Sequence, residues 1–196
     1  MATLVWPDDL RPTTFKMYLA SNGSSFKSPW NGATQTVGFP GSAWEVNMEL
    51  SNQDDYEARA IEAILFELDG MSGRILLRDY GRTPPPVKGR PVVYGAGQTG
   101  IYLATAGWTP STKVLSKGDY ITVNNELKYV LEDCYSVADG RATIKFAPKL
   151  RNTPASNAEI EVARPYGIFR LTDNKNGVDR KSGINNDFSL SFTEVF

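Results

Sequence analysis

The sequence contains no histidine among its 196 residues. This excludes Ser-His and Cys-His nucleophilic sites, histidine-ligated metals and the commonest general base near neutral pH. There is a single cysteine, Cys134, which rules out an intramolecular disulfide and a multi-cysteine metal centre. It lies in YVLEDCYSV, a setting that predicts a half-buried strand cysteine and not a reactive thiol. No apolar run approaches the ~20 residues of a membrane-spanning helix. The opening MATLVWPDDLRP has no basic start followed by an apolar stretch, so no signal peptide is visible and folding in the cytoplasm of the producing cell is expected. An excess of one charge is also lacking. Twenty-one basic and 22 acidic residues leave a net charge of −1, and no long basic run calls for nucleic acid or an anionic membrane.

Apolar residues make up 41% of the chain and charged residues 22%, as in a soluble globular protein with a real core. One segment reads as a helix, 51-SNQDDYEARAIEAILFELDG-70. Ser51 is the candidate N-cap, with Asp54 three positions on as an aspartate version of the capping box. Ala60, Ile61, Ile64, Leu65 and Leu68 form one buried stripe. Gly70 sits where a left-handed cap would stop the helix. From Asp54 to Asp69 it would be about 24 Å long.

The rest reads as β. Early strands are expected at 13–20, 33–39 and 43–50. In the last, Trp44, Val46, Met48 and Leu50 alternate with Glu45, Asn47 and Glu49, the period of a strand with one wet face. Another is expected at 74–80. Residues 81-GRTPPPVKGRP-91 then carry four prolines and two glycines and predict an extended linker. Beyond it, 119-DYITVNNELKYVLE-132 reads as a hairpin turning at Asn124-Asn125. Asp139-Gly140 is a second turn, separating 127–137 from 142–148. Strands are expected at 166–171 and 186–196, with a polar exposed loop at 172–185. The simplest assembly is mainly β with one principal helix. Residues 1–80 and 165–196 form a discontinuous N-terminal β-sandwich plus helix, completed by the C-terminal strands. Residues 85–164 form an inserted small β-barrel.

Several blocks then follow one another in a recognisable order: 26-FKSPWNGATQTVGFPGSAWEVNMEL-50, 54-DDYEARAIEAILFELDGMSGRILL-77, 117-KGDYITVNNELKYVLED-133, 140-GRATIKFAPKLR-151 and 188-FSLSFTEVF-196. Together they resemble the distal tail proteins of long-tailed phages and prophages. The resemblance implies a non-enzymatic structural protein of the virion tail. It implies a cyclic homo-oligomer, a hexamer, that joins the tail tube protein to the tail-tip or baseplate hub protein. It also implies that the inserted barrel is of OB or galectin-like type. A ring needs a heterologous interface. The candidate elements are the N-terminal arm with Val5, Trp6 and Pro7, the loop carrying Ser28, Pro29 and Trp30, and the polar loop after Thr172.

Chemical signals are few. Asp8-Asp9 and Asp54-Asp55 are paired carboxylates; the first sits in an arm and the second caps a helix, and neither is expected to hold metal. The segment 172-TDNKNGVDRKSG-183 lacks the calcium-loop register and its terminal glutamate. The glycines of 95-GAGQTG-100 fit G-x-G-x-x-G but precede β-like sequence instead of a helix, so a turn is expected. The inserted block carries ten basic and seven acidic residues, with Tyr120, Tyr129 and Tyr135 nearby. A nucleic-acid face is imaginable there, yet a mildly charged surface is the simpler reading. No cofactor, metal, nucleic acid or membrane insertion is expected. The alternative function is a tail-tip module that binds host-surface carbohydrate, with Trp30 and Trp108 in turn-like contexts that suit stacking and Trp108 as the candidate glycan contact.

Overall fold

The computed structural model describes residues 3–39, 41–180 and 185–196. The protein is mainly β with one helix. In chain order the first strands are β1 (Thr3–Val5), β2 (Thr14–Ala20), β3 (Gly23–Lys27), β4 (Thr34–Gly38) and β5 (Ala43–Gln53), followed by helix α1 (Asp55–Leu68) and β6 (Arg74–Leu77). Next come β7 (Gly89–Val93), β8 (Gly100–Trp108), β9 (Lys113–Leu115), β10 (Tyr120–Val123), β11 (Glu126–Val130), β12 (Cys134–Tyr135), β13 (Ala142–Leu150) and β14 (Ile160–Glu161). The chain closes with β15 (Gly167–Leu171), β16 (Asp179–Arg180) and β17 (Asn186–Glu194).

One seven-stranded sheet has the order β1-β6-β15-β17-β5-β2, with β16 added to β17. Only β1 and β6 pair in parallel; the other neighbours are antiparallel. The alternation in β5 sets its two faces. Trp44, Val46, Met48 and Leu50 are buried while Glu45, Asn47 and Glu49 are exposed. Across the register Phe188, Leu190 and Phe192 of β17 join the buried side, and α1 lies on it through Ala58, Ile61, Leu65 and Leu68. Each such fully buried large side chain contributes about 1.5–3 kcal/mol.

The ends of α1 differ from the sequence expectation by a few residues. Its N-cap is Asp54 and not Ser51. The Asp54 carboxylate accepts the Glu57 N–H at 2.7 Å, and Glu57 reaches back to the Asp54 N–H at 3.2 Å. Such a reciprocal box stabilises a helix by about 1 kcal/mol. Ser51 is held in β5, whose last residue, Gln53, pairs with Asn186 of β17. At the other end Asp69 already adopts the left-handed conformation, one residue before Gly70.

A second sheet has the order β14-β10-β11-β13-β8-β7 and is antiparallel throughout. Its two outer strands meet through an antiparallel bridge between Val92 and Glu159, flanked by the Val93 N–H to Ala158 carbonyl bond of 2.9 Å. The sheet is therefore nearly closed into a barrel. It has its own core, with Val93, Leu103, Trp108, Ile121, Val123, Val130, Ile144 and Phe146 inside. The β10–β11 turn has Asn124 and Asn125 both at positive φ, 51° and 62°, as a two-residue hairpin requires. The expected linker is shorter than the sequence suggested, because β7 takes in Gly89 to Pro91; Pro91 falls at a register shift of an outer strand, where a ladder N–H is dispensable.

The barrel sits against the sheet. Leu127 of β11 belongs to the sheet's core although its neighbour Val130 belongs to the barrel's. The Trp44 indole N–H donates to the Leu127 carbonyl at 2.9 Å. Arg82, in the crossing segment from β6 to β7, lies over the rings of Tyr120 and Tyr129 and donates to the Gly118 carbonyl. The return crossing is held by the Thr122 hydroxyl, 2.6 Å from both the N–H and the carbonyl of Tyr166.

Candidate functional site

Strands β3 and β4 form a ribbon that joins neither large sheet. Its register pairs Gly23 with Gly38, Ser24 with Val37, Ser25 with Thr36, Phe26 with Gln35 and Lys27 with Thr34. Side chains alternate across a ribbon, so Phe26 and Val37 share one face and Phe39 continues it. Ser25, Lys27, Thr34 and Thr36 occupy the other. Ser24 and Gln35, the register partners of Val37 and Phe26, share the face of those two, and every residue of both strands is exposed. Phe26 is 62%, Val37 37% and Phe39 46% exposed. The tip is ordered by local bonds. Ser28 N–H donates to the Ala33 carbonyl at 2.8 Å, Gly32 N–H to the Ser28 carbonyl at 3.0 Å, and Ala33 N–H to the Asn31 side chain at 3.0 Å. Gly32 takes a φ of +71°, which glycine allows at no steric cost. This turn holds Trp30 out in solvent, 95% exposed, next to an exposed Pro29 and a partly buried Ser28.

The N-terminal arm presents less surface than the sequence suggested. Val5 is 67% exposed on the edge strand β1, and Pro7 is partly buried. Trp6 offers no face to a second subunit. It is 1% exposed, packs in the sheet's core and donates its indole N–H to the Leu10 carbonyl at 2.7 Å. Asp8 is held by two arginines, Arg78 at 2.6 Å and Arg164 at 3.0 Å, so it serves structure. The polar loop after Thr172 is braced by the Asp173 carboxylate accepting the Lys175 N–H at 3.0 Å. Positions 181–184 of that segment lie outside the described residues.

Trp108 also contradicts its sequence role. It is 3% exposed inside the barrel, and its indole N–H donates to the Thr105 hydroxyl at 2.7 Å. No ring face is left for a sugar. The three tyrosines of the imagined nucleic-acid face are separated as well. Tyr120 and Tyr129 stack edge-on at 5.2 Å in the junction around Arg82, while Tyr135 stands 62% exposed elsewhere. The GAGQTG segment is the β7–β8 turn. Gln98 spans it, donating to the Tyr94 and Ala104 carbonyls at 2.8 and 3.1 Å and accepting the Ala104 N–H at 2.6 Å. Cys134 is buried, and burial pushes its thiol up to about 11, which makes it inert at neutral pH. Among the described residues no three His, Cys, Asp or Glu side chains come together as a metal site.

Two further features escaped the sequence reading. On the outer side of α1, Tyr56 and Phe66 are 82% and 73% exposed. Within the barrel, Glu126 and Lys128 form a buried ion pair at 2.6 Å, with side chains 4% and 0% exposed. Burial lowers the Lys128 pKa, and the Glu126 carboxylate opposes that shift. The Glu126 oxygens also accept the Asn152 and Arg151 N–H groups at 2.9 and 3.2 Å. Alternating charges in a strand ordinarily mark a wet face, and nothing in the sequence distinguished these two.

Among the described residues the most distinctive surface is the exposed ribbon with Phe26, Val37, Phe39 and Trp30. Compared with known proteins, the chain matches no protein family and no curated protein.

Proposed function

We propose that this protein is a structural component that assembles head-to-tail into a closed ring, as a distal tail protein of a long-tailed phage does. The observation that carries the reading is the ribbon: a pair of strands exposed along its whole length, with Phe26, Val37 and Phe39 on one face and Trp30 at its tip, uncovered among the described residues. An isolated two-stranded hairpin is marginal in water, and an exposed aromatic cluster of this kind marks an interaction site. Tryptophan is also the residue most often found to dominate interface energetics.

A ring requires two different surfaces on each subunit. The ribbon leaves the sheet between β2 and β5, and Val5 lies on β1 at the other edge. Five strand spacings separate the edges, about 24 Å. The two surfaces therefore suit a contact in which the ribbon of one copy meets a different face of the next. The order of the residue blocks, which resembles distal tail proteins, supports the same reading. In it the ring, a hexamer, joins the tail tube to the hub, and the six-stranded barrel is carried as an OB- or galectin-like module.

Sedimentation of the purified chain over a wide concentration range, with negative-stain imaging, tests the proposal. A ring of uniform copy number that dissociates on Trp30→Ala or Phe26→Ser is the expected result. A wild-type protein that stays monomeric at the highest concentration, with no ring in images, overturns it.

A further inference from the structure

Three asparagines of this chain are each followed by glycine: Asn22-Gly23, Asn31-Gly32 and Asn176-Gly177. Such a step is reactive. The glycine nitrogen can attack the side-chain carbonyl carbon of the asparagine, because glycine has no β-carbon to restrict the peptide. The attack needs that peptide to turn and its N–H to give up a proton. The fold therefore sets which of the three steps is free to react.

Two of them are tied at the reacting peptide. The Asn22 carbonyl accepts the Phe39 N–H at 2.7 Å, and Gly23 is in register with Gly38. At the ribbon tip the Gly32 N–H donates to the Ser28 carbonyl at 3.0 Å, and the Asn31 side-chain oxygen is turned onto the Ala33 N–H at 3.0 Å. The third step differs. Gly177 is exposed and lies outside any strand. Nothing stands within 4 Å of the place a β-carbon would take there, and its N–H has no acceptor among the described residues. Asn176 is held through Nδ2, which donates to the Asp173 carbonyl at 2.6 Å. That bond restrains the nitrogen that leaves in the reaction, not the one that attacks.

We infer that Asn176 is a site of spontaneous deamidation, and that the modification loosens the loop bracing the end of α1. The Gly177 nitrogen bonds to Asn176 Cγ, the Cγ–Nδ2 bond breaks, and the Gly177 amide proton departs with Nδ2 as ammonia. A water molecule then opens the cyclic imide at either carbonyl, leaving aspartate or isoaspartate at position 176. A carboxylate has no N–H to donate, so the Asp173 carbonyl loses its partner and faces a negative group. The isoaspartyl product also lengthens the main chain by a methylene carbon. Both changes fall on a short turn with a structural task. The Asp173 carboxylate accepts the Lys175 N–H at 3.0 Å, and Asn174 Oδ1 accepts the Met71 N–H, just beyond the helix, at 3.0 Å. Asn174 sits so close that a β-carbon on Gly70 would stand 2.6 Å from its oxygen. The reaction does not require the ring: a monomer would undergo it equally.

Ageing the full chain near neutral pH in heavy-oxygen water, followed by peptide mapping, tests this. Asn176 should convert first and mainly to isoaspartate, with Asn22 and Asn31 slower by roughly tenfold or more while the chain is folded. In denaturant the three rates should converge. Conversion of Asn22 or Asn31 as fast as Asn176 in the folded chain, or the same ranking kept in denaturant, overturns the assignment. Gly177→Ala adds a methyl group where there is room for it and should slow conversion at Asn176 roughly tenfold; an unchanged rate rules out attack by the residue 177 nitrogen. Amide exchange at Met71 reads the consequence. It should be faster in the aged fraction and in Asn176→Asp than in fresh wild type, and equal exchange in all three overturns the loosening of the loop.

Discussion

Two hairpins in this protein have comparable strand pairing and opposite surroundings. The β10–β11 hairpin turns on two asparagines and is buried along nearly its whole length, because β14 flanks one side and β13 the other. The β3–β4 ribbon has an unbroken register of five pairs and, among the described residues, no flanking strand. Both pair without a break in register. What separates them is the presence of partners within the same chain, and only the first has them.

The sharpest way to break this comparison is through its tryptophans. Trp108→Ala removes a filled core position and should cost the barrel about 3–5 kcal/mol, measured by denaturant unfolding. A loss under 1 kcal/mol would show that the barrel core is not packed as described. Alkaline pH next probes the packed hairpin at Tyr120 and the segment after β6 at Tyr80. Burial pushes Tyr120 and Tyr80 up to about 12, from the usual 10. The folded state then keeps protons that the unfolded chain has already lost, so stability should fall as pH rises from about 10 toward 12. Ultraviolet titration should show two phenols ionising late in that window; uniform ionisation near 10 would contradict the packing. A smaller effect belongs to the turn. Asn124→Ala removes the short side-chain amide by which asparagine tolerates positive φ and should cost about 1 kcal/mol, read as a lower unfolding midpoint. The smallest is Trp30→Ala, which should leave monomer stability within about 0.5 kcal/mol while abolishing the self-association proposed above. If instead it destabilised the isolated chain, the ribbon would be structural and the contrast with β10–β11 would fail.

Much of the architecture was legible from periodicity and turn chemistry. The alternation around Trp44, the stripe from Ile61 to Leu68 and the Asn124–Asn125 turn all lead to elements that form close to the expected positions. The failures share a cause: each depended on a partner distant in sequence. Ser51 looked like a cap until the pairing with β17 drew its strand onward to Gln53. Residues 3–5 are too few to announce a strand, and β1 exists because β6 pairs with it. Trp6 and Trp108 lie among prolines, glycines and threonines and so read as exposed; their indole partners, the Leu10 carbonyl and the Thr105 hydroxyl, are visible only in three dimensions. Glu126 and Lys128 misled for a related reason. They alternate as a wet face would, but β11 is wedged between two cores and has no wet face. Of the candidate site, the loop around Trp30 was named from sequence, whereas the exposure of the whole ribbon was not, since neither strand advertises that its neighbours are missing.

The double grip on Asp8 reaches beyond its own neighbourhood. One of its arginines begins the outbound crossing toward the barrel and the other ends the return crossing, 70 and 156 positions further along the chain. A single carboxylate thus works as a buckle across both straps. Trimming the opening ten residues, or fusing a bulky tag directly to them, would be felt at both crossings at once.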